Sequence, residues 1–298
     1  MYYDITFNRR KLKQISASQR VAYEQIGPVL GIDREHFEEK NNWYKIDGLL
    51  QYFKQREDSR VLGELLSDAV LKMHGFETAS YSVSELNGVR GLLSPNVHKE
   101  GYRYESVATL HRIYPDFGNP YYSDSRRVTL KRIFEFLNSV DSDNQEIKVQ
   151  IIRKYVIDWF THQLDDNIRN LTFEQASDGK LRLATIIDSE SSFAATKKGI
   201  NTDFNRIWVP AIPYEDSEFS SGPSTIDGLD LNIISLLVEY PEIVKTILEE
   251  IINNDYEPII VEFQKKADNG VYVSSDAIDF LKRFVEAKQQ EANKINRI

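Results

Sequence analysis

The chain has 298 residues, 46 acidic against 37 basic side chains, a net charge of −9 and no cysteine. That length can bury one large core or two modest ones. The lack of cysteine excludes disulfide and thiolate chemistry and makes a reducing cytoplasm the expected compartment. The acidic balance, broken only by short basic runs such as Arg9-Arg10-Lys11, Arg126-Arg127 and Lys197-Lys198, argues against nucleic acid as the main partner. The N-terminus lacks the layout of a signal peptide, and no apolar run is long enough to cross a bilayer.

Residues 1–40 are polar and show no clean period; Ser16-Ala17-Ser18-Gln19 reads as a small-residue turn. Trp43-Tyr44-Lys45-Ile46 is β-prone and ends at a break, Asp47-Gly48. Leu62, Leu65, Leu66, Ala69, Val70 and Met73 then keep helical spacing until Gly75 stops them. A strand carrying Lys45 before a helix carrying Glu64 is the order in which a kinase lysine holds nucleotide phosphates and a helix glutamate holds the lysine. Taken singly, Lys45 is an ordinary snorkelling lysine and Glu64 a solvated helix position. Ser80–Leu86 and Val89–Leu93 read as a hairpin turning at Asn87-Gly88. The connection that follows places a lobe junction at Glu100–Ser106. Neither G-x-G-x-x-G nor G-x-x-x-x-G-K-[ST] occurs, so the phosphate-covering loop has no motif, and Ser16–Gln19 is a candidate on composition alone.

Val128–Leu137 reads as a helix, and Ile151, Ile152, Tyr155, Val156, Trp159 and Phe160 mark a second, which delivers the chain to Asp165-Asp166. Asn170 follows Asp165 by five residues. Leu171–Glu174 and Leu181–Ile187 read as strands around a turn at Ser177–Lys180, with Asp188 leaving the second. Such a hairpin should bring Asn170 and Asp188 together at its open end, a hard-oxygen pair suited to Mg²⁺. Asp165 just before them could accept a proton from a hydroxyl nucleophile. Asp–Asn spacings of this kind also arise in ordinary loops, and Asp165 with Asp188 could in principle serve glycoside hydrolysis; the order of Lys45, Glu64, Asp165, Asn170 and Asp188 along the chain favours phosphoryl transfer. The five histidines show no metal-ligand spacing, and His162 reads as a packing residue. Leu229–Val238, Ile243–Ile252, Ile259–Lys266 and a capped Ser275–Ile295 complete a helical second half.

The stretches NNWYKID, VLGELLSDAVL, LLSPNVH, DDNIRN and IDSESSF together resemble the motifs of the HipA-like bacterial kinases, relatives of the protein and phosphatidylinositol kinases. Asn167 stands where that family commonly has His, and Ser189 where Asn often follows the Asp. The resemblance implies a bilobed α+β fold, with a small β-rich N-lobe over residues 1–103 and a mainly helical C-lobe over 104–298. It implies ATP and Mg²⁺ as cofactors, Lys45 and Glu64 at the phosphates, Asn170 and Asp188 at the metal, and Asp165 as the catalytic base. The acceptor it implies is a protein Ser or Thr, with a lipid or small-molecule hydroxyl as the alternative, and it raises an antitoxin-type partner protein. A catalytically weak or inactive kinase-like module that binds a nucleotide or a partner is the competing reading.

Overall fold

Asp47-Gly48 and Asn87-Gly88 have positive φ at both residues, 53° and 80° in the first pair and 50° and 82° in the second. That backbone matches the twist of two-residue hairpins, and Asp-Gly and Asn-Gly reach it at little cost. The two turns organise the first half of the molecule. The structure, a computed structural model, describes residues 2–3, 5–7, 13–15, 19–20, 42–97, 99, 101–106, 129–140, 144–163, 170–175, 180–187, 189, 192–193, 195–196, 199–201, 225–226, 229–265 and 271–298.

In chain order, β1 (Tyr2–Tyr3), β2 (Ile5–Phe7) and β3 (Lys13–Ile15) precede a hairpin of β4 (Trp43–Ile46) and β5 (Leu49–Gln55). Helix α1 (Asp58–Met73) leads to a second hairpin, β6 (Ser82–Leu86) and β7 (Val89–Pro95). These strands form a five-stranded sheet in the order β3-β6-β7-β5-β4, parallel only at β3–β6. Phe53 pairs with Leu93 and packs with Tyr44 and Ile46 on one face, while Lys54 pairs with Leu92 on the face that meets α1. Close approach of β5 to β7 needs Gly91: a Cβ there would lie 2.8 Å from the Phe53 ring and 2.9 Å from Gln55 Cα.

Helix α1 ends as its sequence dictates. Gly75 takes φ 83°, its N–H donates to Lys72 O at 3.0 Å, and Phe76 N–H donates to Leu71 O at 3.0 Å, a Schellman stop. Val61, Leu62, Leu66, Val70 and Leu71 of α1 join a core shared with helices of the second half.

That half starts with β8 (Arg103–Ser106), α2 (Leu130–Val140) and α3 (Gln145–Thr161), followed by β9 (Thr172–Gln175) and β10 (Leu181–Leu183). Short strands β11 (Ala195–Thr196), β12 (Gly199–Asn201), β13 (Thr225–Ile226) and β14 (Leu229–Asp230) follow. The chain ends in α4 (Leu231–Glu239), α5 (Pro241–Asn253), α6 (Glu257–Lys265), β15 (Val271–Val273) and α7 (Ser275–Asn296), the last capped by Ser274 Oγ accepting from Ala277 N–H. The fold is mixed α+β, a small sheet region followed by a mainly helical one, as expected of a bilobed kinase. β1 pairs with β12 and β2 with β15, so the first strands lie against elements of the second half.

Helix α3 differs from the one-faced amphipathic helix its apolar residues suggest. Lys148, Lys154 and Asp158 are buried along with them, and Lys154 and Asp158, one turn apart, form an ion pair of 2.6 Å within the core. Mutual neutralisation lets Lys154 and Asp158 be buried with the apolar residues of the last turns. Among the described residues, no helix is long and apolar enough to cross a membrane.

Candidate active site

Glu64 is 1% exposed and faces the sheet from α1. Its Oε2 accepts a hydrogen bond from Lys54 Nζ at 3.0 Å, and its Oε1 accepts one from the Ser189 backbone N–H at 2.9 Å. Lys54 is itself buried, and its ammonium lies 5.9 Å from the Tyr81 ring centroid. A buried ion pair costs desolvation on both sides and persists only where geometry and further hydrogen bonds compensate. Here the carboxylate meets an ammonium on one oxygen and a peptide N–H on the other.

The lysine expected opposite Glu64 was Lys45, and the structure corrects that. Lys45 is exposed on β4, paired with Leu50, while Lys54 lies four residues beyond Leu50 on β5. At about 3.3 Å of rise per residue, Lys45 stands about 13 Å along the hairpin from Lys54. Both lysines lie on the same sheet face. The break at Asp47-Gly48 is a hairpin turn rather than a strand end, so a second strand intervenes before the helix and its lysine reaches Glu64. The signal that could have found Lys54 was in the sequence: Asp-Gly between WYKI and LLQYFK is the same kind of cue as Asn87-Gly88.

Lys54 opens onto a cavity of about 540 Å³. Its walls include Trp43, Tyr52, Arg56, Tyr81 and Ser94, and Ile187 comes from the second half. Trp43 and Tyr52 meet edge to face with centroids 5.1 Å apart. Among the described residues the cavity has two cationic linings and no carboxylate. An apolar, aromatic wall beside buried positive charge suits an anionic ligand with a flat ring.

Antiparallel β9 and β10 form the expected hairpin, with Leu183 opposite Phe173, and Ala184 N–H continues it to Thr172 O at 2.9 Å. Ile186 leaves this ladder for the segment after α1: its N–H donates to Glu77 O at 2.9 Å, and its carbonyl accepts from Ala79 N–H at 3.1 Å. Asn170 sits half-buried in the turn before β9. Asp165 and Asp188 lie outside the described residues, but both neighbours of Asp188 are placed: Ile187 lines the cavity and Ser189 is bonded to Glu64. Among the described residues no group of three or more His, Cys, Asp or Glu converges as a metal site. Of Ser16–Gln19 only Gln19 is described, and the next residue, Arg20, bridges to Tyr44 on the edge strand.

Within the stretch expected to hold the lobe junction, Glu100–Ser106, Arg103–Ser106 forms strand β8, paired with β9. Lys99 in the connection bridges Glu77 at 3.0 Å and Glu174 at 3.1 Å, tying it to the segment after α1 and to β9. Burial opposes the charge on Lys99, but the two carboxylates outweigh it and hold its amine above the ordinary range.

His162 caps α3 in the left-handed conformation, is 3% exposed, and meets the Phe284 ring edge-on. Burial, with a smaller push from Lys288, lowers its imidazole from 6.5 to about 3, so it is neutral packing as its place in the sequence suggested. One residue missed at the sequence level is His74, which closes α1 and contacts Glu250 and Tyr256.

A glutamate helix packed on a five-stranded sheet, its carboxylate on a strand lysine, with a mainly helical half that brings Ile187 to the same cavity, defines a kinase-like protein. No family model matches the sequence, and no curated protein matches it significantly. Among solved structures, the chain is similar to the Helicobacter pylori proinflammatory kinase CtkA, with a TM-score of 0.55 at 12% identity, covering 85% of this chain and 91% of that one. It is also similar to HipA of Shewanella oneidensis, solved with HipB and operator DNA, with a TM-score of 0.53 at 10% identity. That match covers 84% of this chain but 60% of HipA. The chain has a HipA-like kinase fold.

Proposed function

We propose that this protein is an ATP- and Mg²⁺-dependent phosphotransferase acting on a protein Ser or Thr. The observation that carries the reading is the buried Lys54–Glu64 pair, with Lys54 at the wall of a cavity lined by aromatic rings and Glu64 also holding the peptide N–H next to Asp188. Phosphoryl transfer asks little covalent chemistry of the protein and much positioning and charge stabilisation. Lys54 binds nucleotide phosphate oxygens, and Glu64 orients Lys54. The aromatic wall of Trp43 and Tyr52 receives the base and excludes water from it. Asn170 and Asp188 would hold Mg²⁺, their amide and carboxylate oxygens being the hard donors that ion prefers. When bound, the ion supplies positive charge beside the phosphate oxygens. Asp165 orients the acceptor hydroxyl and takes its proton.

The antitoxin-type partner rests on the likeness to HipA, whose solved complex contains HipB. Thiophosphate labelling of a cell lysate tests the whole reading: wild type should label a protein band that Lys54→Met and Asp165→Ala do not. Labelling confined to lipid or small-molecule fractions would move the acceptor. Absence of label with retained nucleotide binding would leave an inactive kinase-like module.

A further inference from the structure

We propose that His74 and Tyr256 form a pivot that sets where Glu64 stands, which makes His74 a positioning residue for phosphoryl transfer. Its functional meaning rests on the phosphotransferase reading; its geometry does not. His74 follows the last turn of α1, its N–H donating to the Val70 and Leu71 carbonyls at 3.1 Å each. Its ring is buried between groups from the helical half. Tyr256 Oη lies 2.8 Å from Nε2 and Glu250 Oε2 lies 3.4 Å from Nδ1, and the His74 and Tyr256 rings stack with centroids 6.1 Å apart. These contacts fit a neutral imidazole whose Nδ1–H donates to Glu250 while Nε2 accepts the Tyr256 hydroxyl.

The groups that hold His74 are themselves held. Tyr256 is 2% exposed, immediately precedes α6, and packs its ring with the centroid 4.8 Å from that of Phe160 of α3. Glu250 of α5 takes two contacts from the Arg153 guanidinium of α3, Nη2 to Oε1 at 3.0 Å and Nη1 to Oε2. Three helices of the second half thus grip one end of α1. Nearer its other end α1 is tied to the sheet, by the Arg90–Asp58 ion pair and by Lys54–Glu64.

Glu64 precedes His74 by ten residues, about 15 Å along the helix at about 1.5 Å per residue. A tilt of about 4° about His74 therefore moves Glu64 by about 1 Å. Directed along either bond, of 3.0 Å or 2.9 Å, that displacement takes it past the distance at which a hydrogen bond survives. Misplacements of about 1 Å cost on the order of 10²-fold in rate. The pivot thus converts the position of α3, α5 and α6 into the position of Glu64.

The test compares His74→Phe and Tyr256→Phe in the full chain; the second keeps its ring and carries the test if the first does not fold. The first readout needs no activity: hydrogen exchange at the Ser189 amide, which Glu64 protects, should speed at least tenfold while amides of β5 and β7 keep their rates. The second is kcat/KM for ATP, expected to fall ten- to hundredfold in the wild-type background and no further in a Glu64→Gln background. Unchanged Ser189 exchange, or equal falls in both backgrounds, overturns the pivot. If wild type turns over no nucleotide, the phosphotransferase reading fails, and Ser189 exchange still decides the pivot.

Discussion

Replacing Lys54 by Met separates the site described here from the one the sequence suggested. Lys54 and Glu64 are 8% and 1% exposed at their side chains, and their charged atoms are 3.0 Å apart. Removing one member of such a pair leaves the other's charge buried with this partner gone, a loss of about 3–5 kcal/mol. For a chain of this size that lowers the unfolding midpoint by roughly 5–8 °C. Lys45 is exposed, and Lys45→Met should stay within about 0.5 kcal/mol of wild type. The double variant Lys54→Met/Glu64→Leu should recover only part of the lost stability: an apolar pair can replace a buried ion pair at little cost, but Leu also removes the acceptor of the Ser189 N–H, a loss of about 1–3 kcal/mol. It should recover none of the phosphotransfer, since loss of a preorganised charge at the transferring phosphoryl costs on the order of 10²–10³-fold in kcat. Thermal unfolding by circular dichroism and steady-state ATP turnover read the two effects on the same samples. If Lys45→Met abolishes turnover while Lys54→Met does not, or if Lys54→Met unfolds at the wild-type temperature, the assignment of Lys54 is wrong.

Gly91→Ala should destabilise by about 1–3 kcal/mol, because its new methyl meets the backbone of β5 beside Lys54; chemical denaturation measures this, and a neutral result would mean that β5 and β7 part more easily than their pairing indicates. His162 is lowered from 6.5 to about 3, so between those values the unfolded chain binds a proton there that the folded chain does not. Its contribution is complete above pH 6.5 and is lost as pH falls towards 3, at about 1.4 kcal/mol per unit, or about 2 kcal/mol by pH 5. His162→Asn keeps a residue that tolerates the left-handed cap and removes the titration, so stability should fall less steeply from pH 7 to pH 5 than in wild type; parallel curves would refute a buried neutral imidazole. Asp188→Ala should raise the Mg²⁺ concentration needed for half-maximal ATP turnover at least tenfold, whereas an unchanged Mg²⁺ dependence would remove Asp188 from the metal site.

Local signals carried the regular elements. Asn87-Gly88 produced its hairpin because positive φ at two successive residues suits few other pairs. The apolar spacing from Leu62 to Met73 produced α1, and Gly75 ended it through a Schellman stop. Ser274 capped the terminal helix with its own side chain. Strands of two or three residues, such as β1 and β2, left no such trace: they exist through partners nearly two hundred or more residues away, and nothing in a window of their own length encodes that pairing.

For the site, the sequence by itself determined that a lysine-bearing strand precedes a glutamate-bearing helix, and that an Asn and an Asp flank a later hairpin. Which lysine meets Glu64 was decided by tertiary structure. Lys45 and Lys54 share one face of one hairpin, and strand alternation assigns a face but no distance to a helix packed across it. The register of β5 against β7, allowed by Gly91, and the seat of α1 against the sheet bring Lys54 to Glu64 and leave Lys45 in solvent. The Ser189 N–H arrives at the same carboxylate from 125 residues further along the chain, a convergence that only the packing of the two halves creates.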